Sequence, residues 1–79
     1  MFITIYGRAN CPFCDKAKAL ANSLPSVECC YIDIVEKGIT KADLQKAIGK
    51  PVETVPQVFI DGIHIGGFSE FEAHLSAQP

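Results

Sequence analysis

A pair of cysteines at the point where a strand hands over to a helix constrains this chain more than any other feature. Asn10-Cys11-Pro12-Phe13-Cys14 follows an apolar, β-branched run, Phe2-Ile3-Thr4-Ile5-Tyr6, and a breaker, Gly7. It precedes Asp15-Lys16-Ala17-Lys18-Ala19-Leu20-Ala21, a strong helix-forming segment. Proline suits the first helical position, where its fixed φ helps and its missing N–H is not needed. Pro12 therefore makes Cys11 the N-cap. The Cys11 sulfur then faces the open N–H groups of Phe13 and Cys14 and the positive end of the helix dipole, which stabilise a thiolate. Cys14 lies one turn further in, within reach of Cys11 for a small disulfide ring. The other readings of the pair are structural thiols or half of a zinc site. The strand-then-helix setting favours redox chemistry over both.

The rest of the chain reads as alternating strands and helices. Phe2–Tyr6 is a first strand, apolar on both faces apart from Thr4, as for a strand in the middle of a sheet. The first helix runs from Pro12 to about Leu24, with Phe13, Ala17, Leu20, Ala21 and Leu24 on one face, and Pro25 ends it. Val27–Ile34 is a second strand, and strand, helix and strand in about thirty residues make a right-handed parallel unit. Thr40 caps a second helix with Asp43 three residues on; Leu44, Ala47 and Ile48 form its apolar stripe, and Gly49 and Pro51 stop it. Gln57-Val58-Phe59-Ile60 and Ile63-His64-Ile65 flank Asp61-Gly62, a strong hairpin signal. After Gly66-Gly67 a last helix spans Phe68 to about Ser76, with Ser69 and Glu72 as its capping box and Phe68, Phe71 and Leu75 on its apolar side. The expected architecture is one α/β domain over residues 1–79, in the order βαβαββα.

Composition narrows the class of function. A chain of 79 residues allows one small domain, and a hydrophobic content of 48% predicts a packed core. A net charge of −2 with both signs interspersed points away from nucleic acid and anionic membranes as partners. The apolar start is too short for a signal peptide, no run is long enough to cross a membrane, and Met1 reads as the start of the chain. These features predict a cytoplasmic redox protein. Cys29 and Cys30 are adjacent in a strand, so they face opposite sides and are expected to be packing or half-buried thiols with no shared metal. His64 and His74 read as surface or packing residues.

Three motifs together resemble the glutaredoxins. They are Cys-Pro-Phe-Cys after a strand, Thr54-Val55-Pro56-Gln57-Val58-Phe59-Ile60-Asp61-Gly62, and His64-Ile65-Gly66-Gly67-Phe68. The stretches Gly38-Ile39-Thr40-Lys41 and Gly49-Lys50-Pro51-Val52-Glu53 resemble the short bacterial dithiol members in particular, and the likeness covers essentially the whole chain. The resemblance implies a thioredoxin-like fold, a four-stranded mixed sheet flanked by three helices. It implies glutathione as co-substrate and no metal, and it makes Cys11 the nucleophile and Cys14 the resolving thiol. It makes Pro56 a cis proline that brings the backbone of Val55 beside Cys11. Thr54 and Val55 would then pair with the peptide part of glutathione, the start of the last helix at Phe68, Ser69 and Glu70 would hold the γ-glutamyl end, and Arg8 would meet the glycyl carboxylate. Phe13 and Phe68 would form an aromatic wall without the hydroxyl that the family often carries there, and Glu70 stands where Asp is commoner. The implied partners are glutathione and disulfide-bearing or glutathionylated proteins, with ribonucleotide reductase as client and the protein a monomer. Two alternatives belong to other classes: an iron–sulfur carrier using Cys11 and glutathione, or a redoxin fed by thioredoxin reductase. Pro12 argues against the first, and Gly66-Gly67 with Ser69 and Glu70 argues against the second.

Overall fold

A computed structural model describes residues 1–77. Its elements are β1 (Phe2–Gly7), α1 (Pro12–Ser23), β2 (Glu28–Asp33), α2 (Lys41–Ile48), β3 (Gln57–Ile60), β4 (Ile63–Gly66) and α3 (Phe68–Ser76). This is the expected order, βαβαββα. The four strands lie in the order β2-β1-β3-β4. β1 runs parallel to β2, with Ile3 opposite Cys29 and Ile5 opposite Tyr31. It runs antiparallel to β3, with Ile3 opposite Ile60 and Ile5 opposite Val58. β3 and β4 form an antiparallel hairpin with a register shift at Val58/Phe59.

One face of the sheet carries the core. Ile3 and Ile5 from β1 and Val58 and Ile60 from β3 meet Ala17 and Ala21 of α1 and Phe71 of α3. Ala17 and Ala21 are four residues apart, on one face of α1, and their small side chains let the helix lie close to the strands. Phe71, Ile3, Ile5 and Val58 are each completely buried. Burial of one such side chain stabilises the fold by roughly 1.5–3 kcal/mol.

The opposite face is covered less than the apolar sequence of β1 predicts. Phe2 is 45% exposed, and Thr4 and Tyr6 are half-buried. Tyr6 and Phe59 meet edge to face at 5.7 Å, and Phe59 lies 5.1 Å from the His64 ring. α2 contributes only Leu44 as a buried side chain; Ile48 is half-buried and Ala47 exposed, so its expected stripe is narrower than its spacing suggests.

Local chemistry fixes most element ends. α1 stops at Ser23, with Leu24 as an extended C-cap ahead of Pro25. β2 begins one residue later and ends one earlier than its apolar run, because Asp33 turns the chain: its Oδ1 accepts from the N–H groups of Val35 and Glu36. The Thr40–Asp43 capping box forms as expected, and Gly49 closes α2 in the left-handed region. Asp61 and Gly62 both have positive φ, as the tight hairpin turn requires. Asp61 also bonds Phe2 through Oδ1 and its backbone N–H, pinning the hairpin to the start of β1.

The start of α3 differs from expectation. Gly67 is the N-cap, and Glu70, not Glu72, reaches back to the Gly67 N–H at 2.7 Å. Ser69 sits inside the first turn and caps nothing.

Candidate redox site

The site begins with how β1 hands over to α1. Asn10 takes a left-handed conformation, which asparagine tolerates, and turns the chain into the helix. Cys11 follows as the extended N-cap with Pro12 at N1. The Cys14 backbone N–H donates to Cys11 Sγ at 3.3 Å, so the sulfur takes the position of an N-cap acceptor. Cys11 and Cys14 form a disulfide, their Cα atoms 5.2 Å apart. Cys11 keeps 7% of its surface and Cys14 none. The inner sulfur packs against bare backbone: a Cβ on Gly7 would come 3.1 Å from Cys14 Sγ and would run into the Tyr31 hydroxyl. That hydroxyl donates to the Arg8 carbonyl at 3.1 Å and so steadies the approach to Cys11. Burial, with Asp15 and Asp33 adding to it, pushes the Tyr31 hydroxyl pKa up, which keeps it a neutral donor.

The second wall comes from the segment between α2 and β3. The Val55–Pro56 peptide bond is cis, as the resemblance implied. It brings the Val55 carbonyl oxygen to 3.8 Å from Cys11 Sγ. A groove beside this edge is lined by Phe13, Thr54, Val55, Pro56, Gly67, Phe68, Ser69 and Glu70. Seven of the expected ligand-binding residues therefore come together. Arg8 does not join them: it lines an adjoining groove with Lys41, Val52 and Glu53, which shares Thr54 and Val55 with the first. The Phe13 and Phe68 rings stand 6.1 Å apart, and Lys16 Nζ lies 5.0 Å over the Phe13 ring. Phe13 is 54% exposed, so it belongs to the groove wall and not to the core face that its helical spacing suggested.

The turn into α3 depends on glycine. Gly66 has a φ of +130°, and a Cβ there would come 2.9 Å from the Glu70 side chain. Glu70 Oε1 is engaged with the Gly67 N–H, so this carboxylate closes its own helix start as well as facing the groove. The N-cap Gly67 supplies no side-chain cap to the first turn of α3, and Gly67, Phe68, Ser69 and Glu70 at that helix start line the groove.

Two glutamines take roles that the sequence does not announce. Gln57 is 8% exposed; its Nε2 donates to the Thr54 carbonyl at 2.8 Å, and its Oε1 lies 2.7 Å from His64 Nε2. Gln45 Oε1 accepts from the Val52 N–H at 3.2 Å. The available signal was one polar residue inside the apolar run from Val55 to Ile60. His64 is half-buried against Phe59, and its pKa is pushed down by burial and by Lys50, with Glu70 opposing. His74 is half-buried on α3. Cys29 and Cys30 do face opposite sides: Cys29 packs against the core and Cys30 is exposed. Burial, helped by Cys30 and opposed by Lys18, pushes the Cys29 thiol up.

The glutaredoxin family model matches residues 3–65. A glutaredoxin of Vibrio cholerae is 55% identical over 78 residues, covering 94% of this chain and 90% of that one. The solution structure of oxidised Escherichia coli glutaredoxin superimposes with a TM-score of 0.86 at 48% identity, over 99% of this chain and 96% of that chain. A buckwheat glutaredoxin–glutathione complex superimposes with a TM-score of 0.73 at 29% identity, over 94% of this chain and 68% of that chain. The fold is thus thioredoxin-like, and no helix among the described residues is long and apolar enough to cross a membrane. With its disulfide at the mouth of α1 and its likeness running through nearly the whole length, this chain belongs to the glutaredoxin family and is a thiol–disulfide oxidoreductase.

Proposed function

We propose that the protein uses glutathione to reduce protein disulfides and to remove glutathione from glutathionylated proteins, with Cys11 as nucleophile and Cys14 as resolving thiol. The observation that carries this reading is the Cys11 sulfur itself. It accepts the Cys14 N–H at 3.3 Å at the start of α1 and lies 3.8 Å from the Val55 carbonyl at the groove edge. A thiolate at that N-cap is stabilised by the N–H and by the helix dipole.

In the one-cysteine route, Cys11 thiolate attacks the glutathione sulfur of a mixed disulfide. A Cys11–glutathione bond forms and the client leaves as a thiolate. A second glutathione thiolate then attacks that sulfur, releasing glutathione disulfide and restoring Cys11. In the two-cysteine route, Cys11 opens a client disulfide and becomes joined to the client. Cys14 then attacks Cys11 Sγ, its proton passing to the departing client sulfur, and the Cys11–Cys14 disulfide closes. Two glutathiones reduce it and leave as one glutathione disulfide, so the electrons balance.

The groove suits glutathione by its chemistry. The Thr54–Val55 backbone lines the groove and offers its edge to the peptide part. The open first turn of α3, near Ser69 and Glu70, suits the γ-glutamyl carboxylate and ammonium, and the Phe13–Phe68 wall flanks the sulfur. Arg8 meets the glycyl carboxylate from the adjoining groove. The buckwheat complex with glutathione supports this reading. Ribonucleotide reductase is the proposed dithiol client on the family resemblance, and a monomer in the reducing cytoplasm is the proposed setting.

One coupled assay tests the proposal. NADPH consumption with a glutathionylated peptide is followed with glutathione and glutathione reductase, and separately with thioredoxin reductase. Turnover is expected only with the glutathione system. Equal or faster turnover with thioredoxin reductase would overturn the glutathione reading.

A further inference from the structure

The edge that faces Cys11 belongs to a segment with no strand or helix of its own. Residues 51–56 run between α2 and β3 without regular structure. Side chains tie the segment in place: Gln45 of α2 accepts from the Val52 N–H, and Gln57 of β3 donates to the Thr54 carbonyl. The second bond is the one nearest the chemistry, because Thr54 and Val55 line both grooves.

Gln57 is unusual for its surroundings. It is the buried polar residue of the core region, 8% exposed between the cis proline and Val58. A buried amide left unpaired would cost about 1–3 kcal/mol, so its orientation is strongly determined. With Nε2 donating to Thr54, Oε1 must accept, and the donor is His64 Nε2 at 2.7 Å. His64 therefore carries its proton on Nε2. The imidazole is held in turn by Phe59, whose ring centroid is 5.1 Å away. The hairpin thus reaches across β3 to fix one carbonyl in the loop that flanks the redox pair.

We propose that Gln57, locked by His64, is a positioning residue that sets the Thr54–Val55 backbone edge at the distance and angle needed to pair with the peptide part of glutathione. This rests on the reading that glutathione lies along that edge. Gln57 touches neither sulfur, so it acts on binding and not on the thiol. The N-cap geometry that activates Cys11 is built by α1 and does not pass through Gln57.

The test compares the parent protein with Gln57→Leu and His64→Leu on a glutathionylated peptide, with glutathione and glutathione reductase. Iodoacetamide alkylation of reduced Cys11 is measured alongside. Gln57→Leu removes both bonds; His64→Leu removes the anchor and leaves the amide donor. For Gln57→Leu we expect KM to rise about tenfold with kcat within about twofold, the pattern of lost binding. His64→Leu should raise KM in the same direction by less, and neither should change the pH profile of Cys11 alkylation. An unchanged KM in Gln57→Leu overturns the proposal. So does a parallel fall in alkylation rate and turnover, which would mark Gln57 as a general support of the fold. If Gln57→Leu does not fold, an unchanged KM in His64→Leu overturns it. Were the parent itself to show no glutathione-dependent turnover, the underlying reading would fail and the positioning role with it, an outcome distinct from an active parent matched by its variants.

Discussion

Cys11 and Cys14 share one disulfide yet meet their surroundings unequally. Cys11 stands at the groove edge with 7% of its surface open, and Cys14 is fully buried beside the bare backbone of Gly7. In the proposed cycle this separates their tasks. Removing glutathione from a protein needs only the outer sulfur, because a second glutathione can release what Cys11 has taken. Escape from a client joined to Cys11 is different: it needs Cys14, held one turn away at high effective concentration. Cys14→Ser is therefore expected to keep most of its activity on a glutathionylated peptide while losing about tenfold or more on an oxidised dithiol protein. Cys11→Ser should lose both. Parallel assays on the two substrates check this, and an equal loss in Cys14→Ser, with its circular dichroism unchanged, would contradict the division. The thiol pair was readable because Pro12 and the strand before it fix the N-cap. Phe13 stands at the groove wall and not in the core, two places that helical spacing alone does not distinguish.

At the scale of elements, the least legible junction is the entry to α3. Ser69 and Glu72 have the spacing of a capping box, and that pattern outweighed Gly67. Glycine at an N-cap has no side chain to announce it; only the reach of Glu70 back to its N–H reveals the true start. The start of α2 is legible in the sequence because Thr40 and Asp43 carry their caps in their side chains. Gln57 is illegible in the sequence for a related reason: a polar residue in a strand shows its partners only once β4 is folded beside it. Gly66 makes this junction testable. Its φ of +130° lies outside the range that side chains favour, and an added Cβ would press on Glu70. Gly66→Ala is expected to destabilise by about 1–3 kcal/mol. It should also weaken use of a glutathionylated peptide, because the same turn leads into the start of α3, which lines the groove. Urea unfolding midpoints together with KM check both effects; parent-like values would show that the turn tolerates a side chain.

For the molecule as a whole, acid should weaken the fold in two stages. Burial and Lys50 hold the folded pKa of His64 below its ordinary value, so the unfolded chain takes up this proton first. Stability from neutral His64 is complete above about pH 6.5 and is lost as pH falls from there through the lower folded value. Asp43 has the opposite chemistry and the same direction of loss. Its bonds to Thr40 hold its carboxyl pKa down, so its contribution is complete above the ordinary carboxylate value and disappears as pH drops through the folded one. Thermal midpoints near about pH 8, about pH 5 and about pH 3 should fall stepwise, and His64→Leu should flatten the first step. A parent curve without the first step would remove His64 from the account. The order of the strands reaches back to the birth of the chain. β1 pairs with β2 across a single helix, whereas its other partner, β3, arrives only near the end: Ile3 meets both Cys29 and Ile60. Closing the nearer loop costs less entropy, so β1, α1 and β2 can gather while the remainder is still on the ribosome. Such a nascent half already holds both sulfurs and none of the Val55 edge, the hairpin or α3. The chain therefore carries both sulfurs out of the ribosome before the residues of the Val55 edge and of α3 are made.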